Sequence, residues 1–257
     1  MTPGADTPPA NAIPAGSLPP GIEAVIFDLD GTLVDTQAVW RRAFTEVLDV
    51  ACERYPQLGE LGSPKYLHDD VFQPIALTRQ AELGGEWDDA LLLEAFRRFL
   101  AQCAEPDEPL AVQMDALYAQ KRVIGFELFP ETRSTLDALT ERFQLAMITN
   151  GPGENQRSRL APLGLDGYFE SIVVSGEFGI RKPDPAIFNH VLEAIDVPAA
   201  SAVYIGDSYT ADVGGAKGSG LAAVWLNREG AAMPSGGAQP DATIATLDEL
   251  LLLLGVG

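Results

Sequence analysis

Asp28 and Asp30 stand one residue apart at the end of an apolar run, Ile22 to Phe27, and Gly31-Thr32 follows at once. The run reads as a buried strand. Strand side chains alternate faces, so these two carboxylates emerge near one side with Leu29 on the other. Two carboxylates brought together repel unless a proton or a cation lies between them. Gly31 permits a sharp change of direction just past the pair. The combination suits a hard cation and a nucleophile. The bland alternative is an ordinary Asx-type turn. A calcium loop of the EF-hand type is excluded, because its Gly and Glu positions, counted from Asp28, hold Leu33 and Val39.

Similar polar groups recur further along. Thr149-Asn150-Gly151 ends a strand predicted over Leu145 to Ile148, and Gly206-Asp207-Ser208 ends one over Ala202 to Ile205, with Asp212 close behind. Lys182, in Arg181-Lys182-Pro183-Asp184-Pro185, falls in the loop after a strand over Ser171 to Val174. Taken singly, each has a structural explanation. Thr-Asn-Gly is a turn, Lys182 a solvated loop lysine, Asp184 a helix N-cap ahead of Pro185, and Asp207 and Asp212 a cap and a first-turn acid. Their joint placement carries the weight, since sites in parallel sheets gather at the carboxyl ends of the strands. The glycines from Gly214 to Gly220 lack the order of a phosphate-cradling loop. They also precede a strand instead of following one, which excludes a dinucleotide fingerprint.

The elements that must position these residues fall into three stretches. Residues 1–20 are rich in Pro, Ala and Gly and are expected to be a disordered tail. From about Asp35 to Gly125 apolar residues recur at helical spacing, as in Val39, Ala43, Phe44, Val47 and Leu48. Helices are predicted near 36–55, 64–84, 87–103 and 107–124, punctuated by Ser63-Pro64, Gly84-Gly85 and Pro106. From Phe129 short apolar strands alternate with helices, which predicts an α/β fold with a parallel sheet. The expected division is a tail over 1–20, a core from 21–36 and 126–257, and an inserted all-helical domain over 37–125.

Composition narrows the function. The 257 residues include 37 acidic and 17 basic ones, a net charge of −20, which argues against nucleic acid or anionic membrane as a partner. An anionic small substrate would need local cations or backbone donors to be held. Cys52 and Cys103 lie far apart, and His68 and His190 have no neighbours at ligand spacing, so reduced thiols in a cytoplasmic protein are expected and a zinc site is not. No signal peptide or membrane span is predicted.

Asp28-x-Asp30-Gly31-Thr32, Thr149-Asn150-Gly151, Lys182-Pro183 and Gly206-Asp207 with Asp212 together resemble the four ordered motifs of the haloacid dehalogenase-like hydrolase superfamily. The resemblance covers nearly everything after residue 20. It implies a Rossmann-like parallel sheet with the first-motif strand in the middle and a helical cap inserted directly after that motif. Phe126 to Phe188, and Val224-Trp225-Leu226-Asn227 with Gly230, are most similar to the branch of pyrimidine 5′-nucleotidases and N-acylneuraminate-9-phosphatases. The implied activity is hydrolysis of a small phosphorylated metabolite, a nucleoside monophosphate or sugar phosphate. Asp28 would be the nucleophile, forming an aspartyl-phosphate, and Asp30 the general acid and then base. Mg2+ would be held by Asp28, Asp207 and the backbone carbonyl of Asp30, with Asp212 orienting that shell. Thr149, Asn150 and Lys182 would hold phosphate, Lys182 also keeping Asp28 ionised. The cap would close over the site and read the leaving group. A phosphomutase of the β-phosphoglucomutase type, a 2-haloacid dehalogenase and a non-catalytic regulator are the alternatives. Asp30 and the acidic fourth motif favour the phosphatase, because a departing halide needs no proton.

Overall fold

The computed structural model describes residues 15–82 and 90–256. The chain divides into two compact units, one formed by residues up to Asp35 and from Glu127 onward, the other by Thr36–Phe126.

The first unit is built on a seven-stranded sheet. Its strands are β1 Ala15–Gly16, β2 Ala24–Phe27, β3 Gln144–Thr149, β4 Ser171–Val174, β5 Ala202–Gly206, β6 Ala222–Leu226 and β7 Ala242–Ile244. The spatial order is β1-β7-β6-β5-β2-β3-β4, parallel throughout except for β1, which runs antiparallel to β7. The first-motif strand β2 is therefore central, with Phe27 paired to Met147 on one side and Ile205 on the other. All four β2 residues are buried, as a strand covered on both faces requires. Ala24 and Ile26 face a cluster that includes Ile187, Phe188 and Val191 of helix Pro185–Ile195. Helices Thr132–Thr140 and Leu247–Leu253 pack on each other and touch β3 and β7, respectively. Asp184 caps Pro185–Ile195 by accepting from the Ala186 N–H at 2.9 Å, as its place before Pro185 suggests.

The tail differs from expectation at its end. Ala15–Gly16 pairs with Ala242–Thr243, and the Ser17 N–H donates to the Asp241 carbonyl at 3.1 Å. Small residues carry no strand propensity. The pairing is made by backbone groups that complete the edge of β7, which composition cannot reveal. Residues 1–14 lie outside the described residues, as does the predicted break at Gly84-Gly85. The strand predicted from Ile22 is β2, which begins at Ala24, two residues later than the apolar run.

The second unit is helical: Thr36–Arg54, Pro64–Tyr66 running through a π-helical segment Leu67–Phe72 into Gln73–Glu82, then Leu91–Cys103 and Glu108–Lys121. Its core holds Phe44, Phe72, Phe96, Phe99 and Tyr118, whose rings meet stacked or edge to face at 4.4–6.3 Å. Ser63 and Asp107 cap their helices, accepting from Tyr66 N–H and Leu110 N–H. Among the described residues no helix is long and apolar enough to cross a membrane.

Candidate active site

The loop after β2 is fixed by its own backbone. The Asp28 N–H donates to the Ile205 carbonyl, extending the pairing with β5 by one residue. The Leu29 carbonyl accepts from Leu33 and Val34, and the Gly31 N–H donates to the Val34 carbonyl at 2.9 Å. Gly31 has φ +77°, and a Cβ there would collide with the Asp207 carboxylate. Thus only glycine satisfies both the turn and the closeness of the two acids. The core anchors the far side of the loop. Thr132 Oγ1 donates to the Leu33 carbonyl and Arg228 to the Thr32 carbonyl.

Lys182 is the hub. Its Nζ donates to Asp28 Oδ1 at 2.7 Å, Asp212 Oδ1 at 2.7 Å and the Tyr204 hydroxyl at 2.8 Å. An ammonium has three hydrogens, so all are taken. Tyr204 in turn donates to the Ile148 carbonyl of β3. The Lys182 backbone is clamped by Asn150, whose Oδ1 accepts from the Lys182 N–H at 2.9 Å while Nδ2 donates to its carbonyl at 3.1 Å. Of the expected phosphate-holding groups, Asn150 commits its carbonyl and one of its two amide hydrogens to Lys182, which leaves one amide hydrogen, and Lys182 offers charge rather than a spare N–H.

Asp28, Asp207 and Asp212 bring carboxylate oxygens within 4.8 Å of one another. Both oxygens of Asp212 are engaged, one by Lys182 and the other by the Ser208 N–H at 2.9 Å. It is fixed by protein donors, while the Asp207 backbone carbonyl accepts from Trp225 Nε1 at 2.9 Å. A single ammonium faces three acids. Burial pushes Asp28 well up; Lys182 opposes the shift, and Asp212 and Asp207 add to it. Asp207 is exposed as a residue, but the protein atoms crowded around its carboxyl group and the charge on Asp212 push it up to about 7. Burial alone would lower Lys182, but Asp212 and Asp28 outweigh it and hold the ammonium above its ordinary value. The excess of negative charge and the all-oxygen donor set fit a hard divalent cation, which reverses the shifts on the acids it binds.

Asp30 turns elsewhere. Arg159 spans its carboxylate, Nη1 to Oδ1 at 2.8 Å and Nη2 to Oδ2 at 3.0 Å. Gln156 Nε2 donates to Asp30 Oδ2 at 2.7 Å and to Thr149 Oγ1 at 2.6 Å. The Asp30 carboxylate is not among the clustered acids, so the metal role expected of Asp30 would fall to its backbone carbonyl. Thr149 is buried at the end of β3, with its hydroxyl hydrogen only weakly directed at the Asn150 carbonyl, at 3.5 Å.

Gln156, Arg159 and Tyr204 were not singled out by sequence. The first two are one helical turn apart on Gly153–Leu160, where a run of Arg and polar residues reads as a solvated face. Their signal is the spacing from Thr149-Asn150-Gly151, which places a donor-rich face beside the second motif. Tyr204 reads as a core aromatic, and only its hydroxyl's neighbours distinguish it.

The family model for haloacid dehalogenase-like hydrolases matches residues 22–220. The N-acylneuraminate-9-phosphatase of Rattus norvegicus is 28% identical over 239 residues, covering 91% of this chain and 94% of its own. Haloacetate dehalogenase H-2 of Moraxella sp. (strain B) is 28% identical over 242 residues, covering 91% and 99%. Among solved structures, the HAD-hydrolase YfnB of Bacillus subtilis, bound to magnesium and described as revealing interdomain movement, matches with a TM-score of 0.73 at 26% identity over 91% of this chain and 99% of that one.

Proposed function

The chain belongs to the haloacid dehalogenase-like hydrolases, and from that premise we propose that it is a magnesium-dependent phosphomonoesterase of small phosphorylated metabolites, a nucleoside monophosphate or a sugar phosphate. One observation supports this choice over dehalogenation: three carboxylates, Asp28, Asp207 and Asp212, lie within 4.8 Å of one another, and the Lys182 ammonium pairs with only two of them, Asp28 and Asp212. Attack on carbon with loss of halide needs neither a divalent cation nor a second acid. Attack on a phosphate ester with a poor leaving group needs both.

An oxygen of Asp28 attacks phosphorus, the bond from phosphorus to the ester oxygen breaks, and Asp30 protonates the departing alkoxide. Water then attacks the phospho-Asp28, the bond to Asp28 breaks, and Asp30 takes the water's proton. Lys182 pairs with Asp28 and favours its ionised, nucleophilic form. The Thr149 hydroxyl is available to a phosphate oxygen, and Asn150 holds Lys182 in place. Mg2+, held by Asp28, Asp207 and the Asp30 backbone carbonyl with Asp212 behind them, would neutralise charge on the phosphoryl oxygens. The helical unit Thr36–Phe126 is assigned the cap's task of reading the leaving group. The free cysteines Cys52 and Cys103 fit a reducing, cytoplasmic setting.

The test is a panel of nucleoside monophosphates, sugar phosphates, N-acylneuraminate 9-phosphate and p-nitrophenyl phosphate, with a 2-haloacid as control. Phosphate release in magnesium, its loss in chelator and no halide release are expected. Halide release without phosphatase activity, or full activity in excess chelator, contradicts the assignment.

A further inference from the structure

We propose that Arg159 and Gln156 are positioning residues that dock Asp30 as the proton acceptor for the second half-reaction. This rests on the acid–base reading of Asp30 above.

A carboxylate offers about four lone-pair sites. Three are filled here: Arg159 takes one on each oxygen and Gln156 a second on Oδ2. The donors can only donate, so the docked Asp30 is an acceptor, with one site left, on Oδ1. That site is the one a water proton would use. In the step concerned, the water oxygen bonds to phosphorus as the phosphorus–oxygen bond to Asp28 breaks. The electron pair returns to the Asp28 carboxylate, and the proton goes to Asp30.

The docking is built, not incidental. The Arg159 side chain is only 11% exposed and Gln156 is buried, unusual for both types in a surface-facing helix. Arg159 Nη2 also donates to Gln156 Oε1, which orients the amide so that Nε2 faces Asp30 and Thr149. Gly151, at φ +143°, leaves room for the same side chain, since a Cβ there would lie 3.1 Å from Gln156 Cδ. Gln156 thereby ties Asp30 to the Thr149 hydroxyl. A guanidinium fork fixes the plane of the carboxylate as an ammonium cannot.

p-Nitrophenyl phosphate isolates the step, because its leaving group departs without a proton and only the second half needs Asp30. Rapid-mixing kinetics on wild type, Arg159→Ala, Arg159→Lys, Gln156→Met and Asp30→Asn would record the nitrophenolate burst and acid-stable phosphoenzyme. Arg159→Ala is expected to keep the burst, accumulate phosphoenzyme and lower the steady rate by about ten- to a hundredfold. Arg159→Lys should recover part of it, and melting curves should match wild type. Equal slowing of burst and steady rate, with no accumulation, overturns the proposal. If Arg159→Ala does not fold, Arg159→Lys and Gln156→Met decide by the same reading. Asp30→Asn separates the premises. Accumulation in that variant but not in the Arg159 and Gln156 variants defeats the positioning role alone. No accumulation in Asp30→Asn defeats the acid–base reading itself, and this inference with it.

Discussion

Gly31 and Asp207 constrain each other, which makes a single methyl group an informative probe. An Ala at Gly31 carries a left-handed backbone cost of about 1–2 kcal/mol and drives its Cβ into the Asp207 carboxylate. Gly230, at φ +65° with open space around the same position, carries the backbone cost alone. Both Ala variants are expected to lose a few degrees in melting temperature. Only Gly31→Ala should raise the magnesium concentration for half-maximal activity, by about tenfold or more, because it displaces an acid of the proposed metal site. An unchanged magnesium requirement in Gly31→Ala would contradict the placement of Asp207. At this scale the sequence was most readable where a residue type has few structural uses. Paired aspartates beside glycine, and Lys182 before proline, announced themselves. Arg159 and Tyr204 did not, because an arginine on a helix and a tyrosine in a strand are ordinary until their partners are known.

The elements were legible where periodicity is strong. The central strand, the three motif-bearing strand ends and the four helical segments of the insertion follow from apolar spacing. The π-helical segment Leu67–Phe72 and the edge pairing of Ala15–Gly16 do not, since one extra residue per turn and a backbone-only pairing leave no pattern in side chains. That π segment places Asp69 against Arg41, Lys65 and the buried His68. Burial would raise the Asp69 carboxyl group, but donors from Arg41, His68 and Lys65 hold it below its ordinary value. A lowered folded value means that this stability is complete above the unfolded pKa of about 3.9 and is lost as pH falls through the folded value. Asp69→Asn is therefore expected to be less stable at pH 7, by about 1 kcal/mol after allowance for its solvent-facing side. The gap to wild type should shrink below about pH 4. Melting temperatures of both proteins across that range are the check, and a gap that stays constant with pH would remove the ion pairs from the account.

For the whole molecule, a net charge of −20 surrounds a site proposed to take an anion. Long-range repulsion is offset locally, by Lys182, by Arg159 and by the proposed cation. The parallel sheet gathers residues from four distant stretches at one edge, and sequence reasoning found them because strand ends are where such sheets place chemistry. What it could not assign was the division of labour. Distances were needed to show Lys182 fully committed, Asn150 serving it, and Asp30 docked on a helix of its own. In the proposed reaction Asp28 becomes phosphorylated during turnover. The direct measurement is peptide mass spectrometry on acid-quenched Asp30→Asn enzyme after mixing with p-nitrophenyl phosphate and magnesium. One phosphoryl group on the peptide carrying Asp28, and none in the Asp28→Asn, Asp30→Asn double variant, is the expected result. Phosphate on any other residue, or sustained turnover by Asp28→Asn, would contradict it.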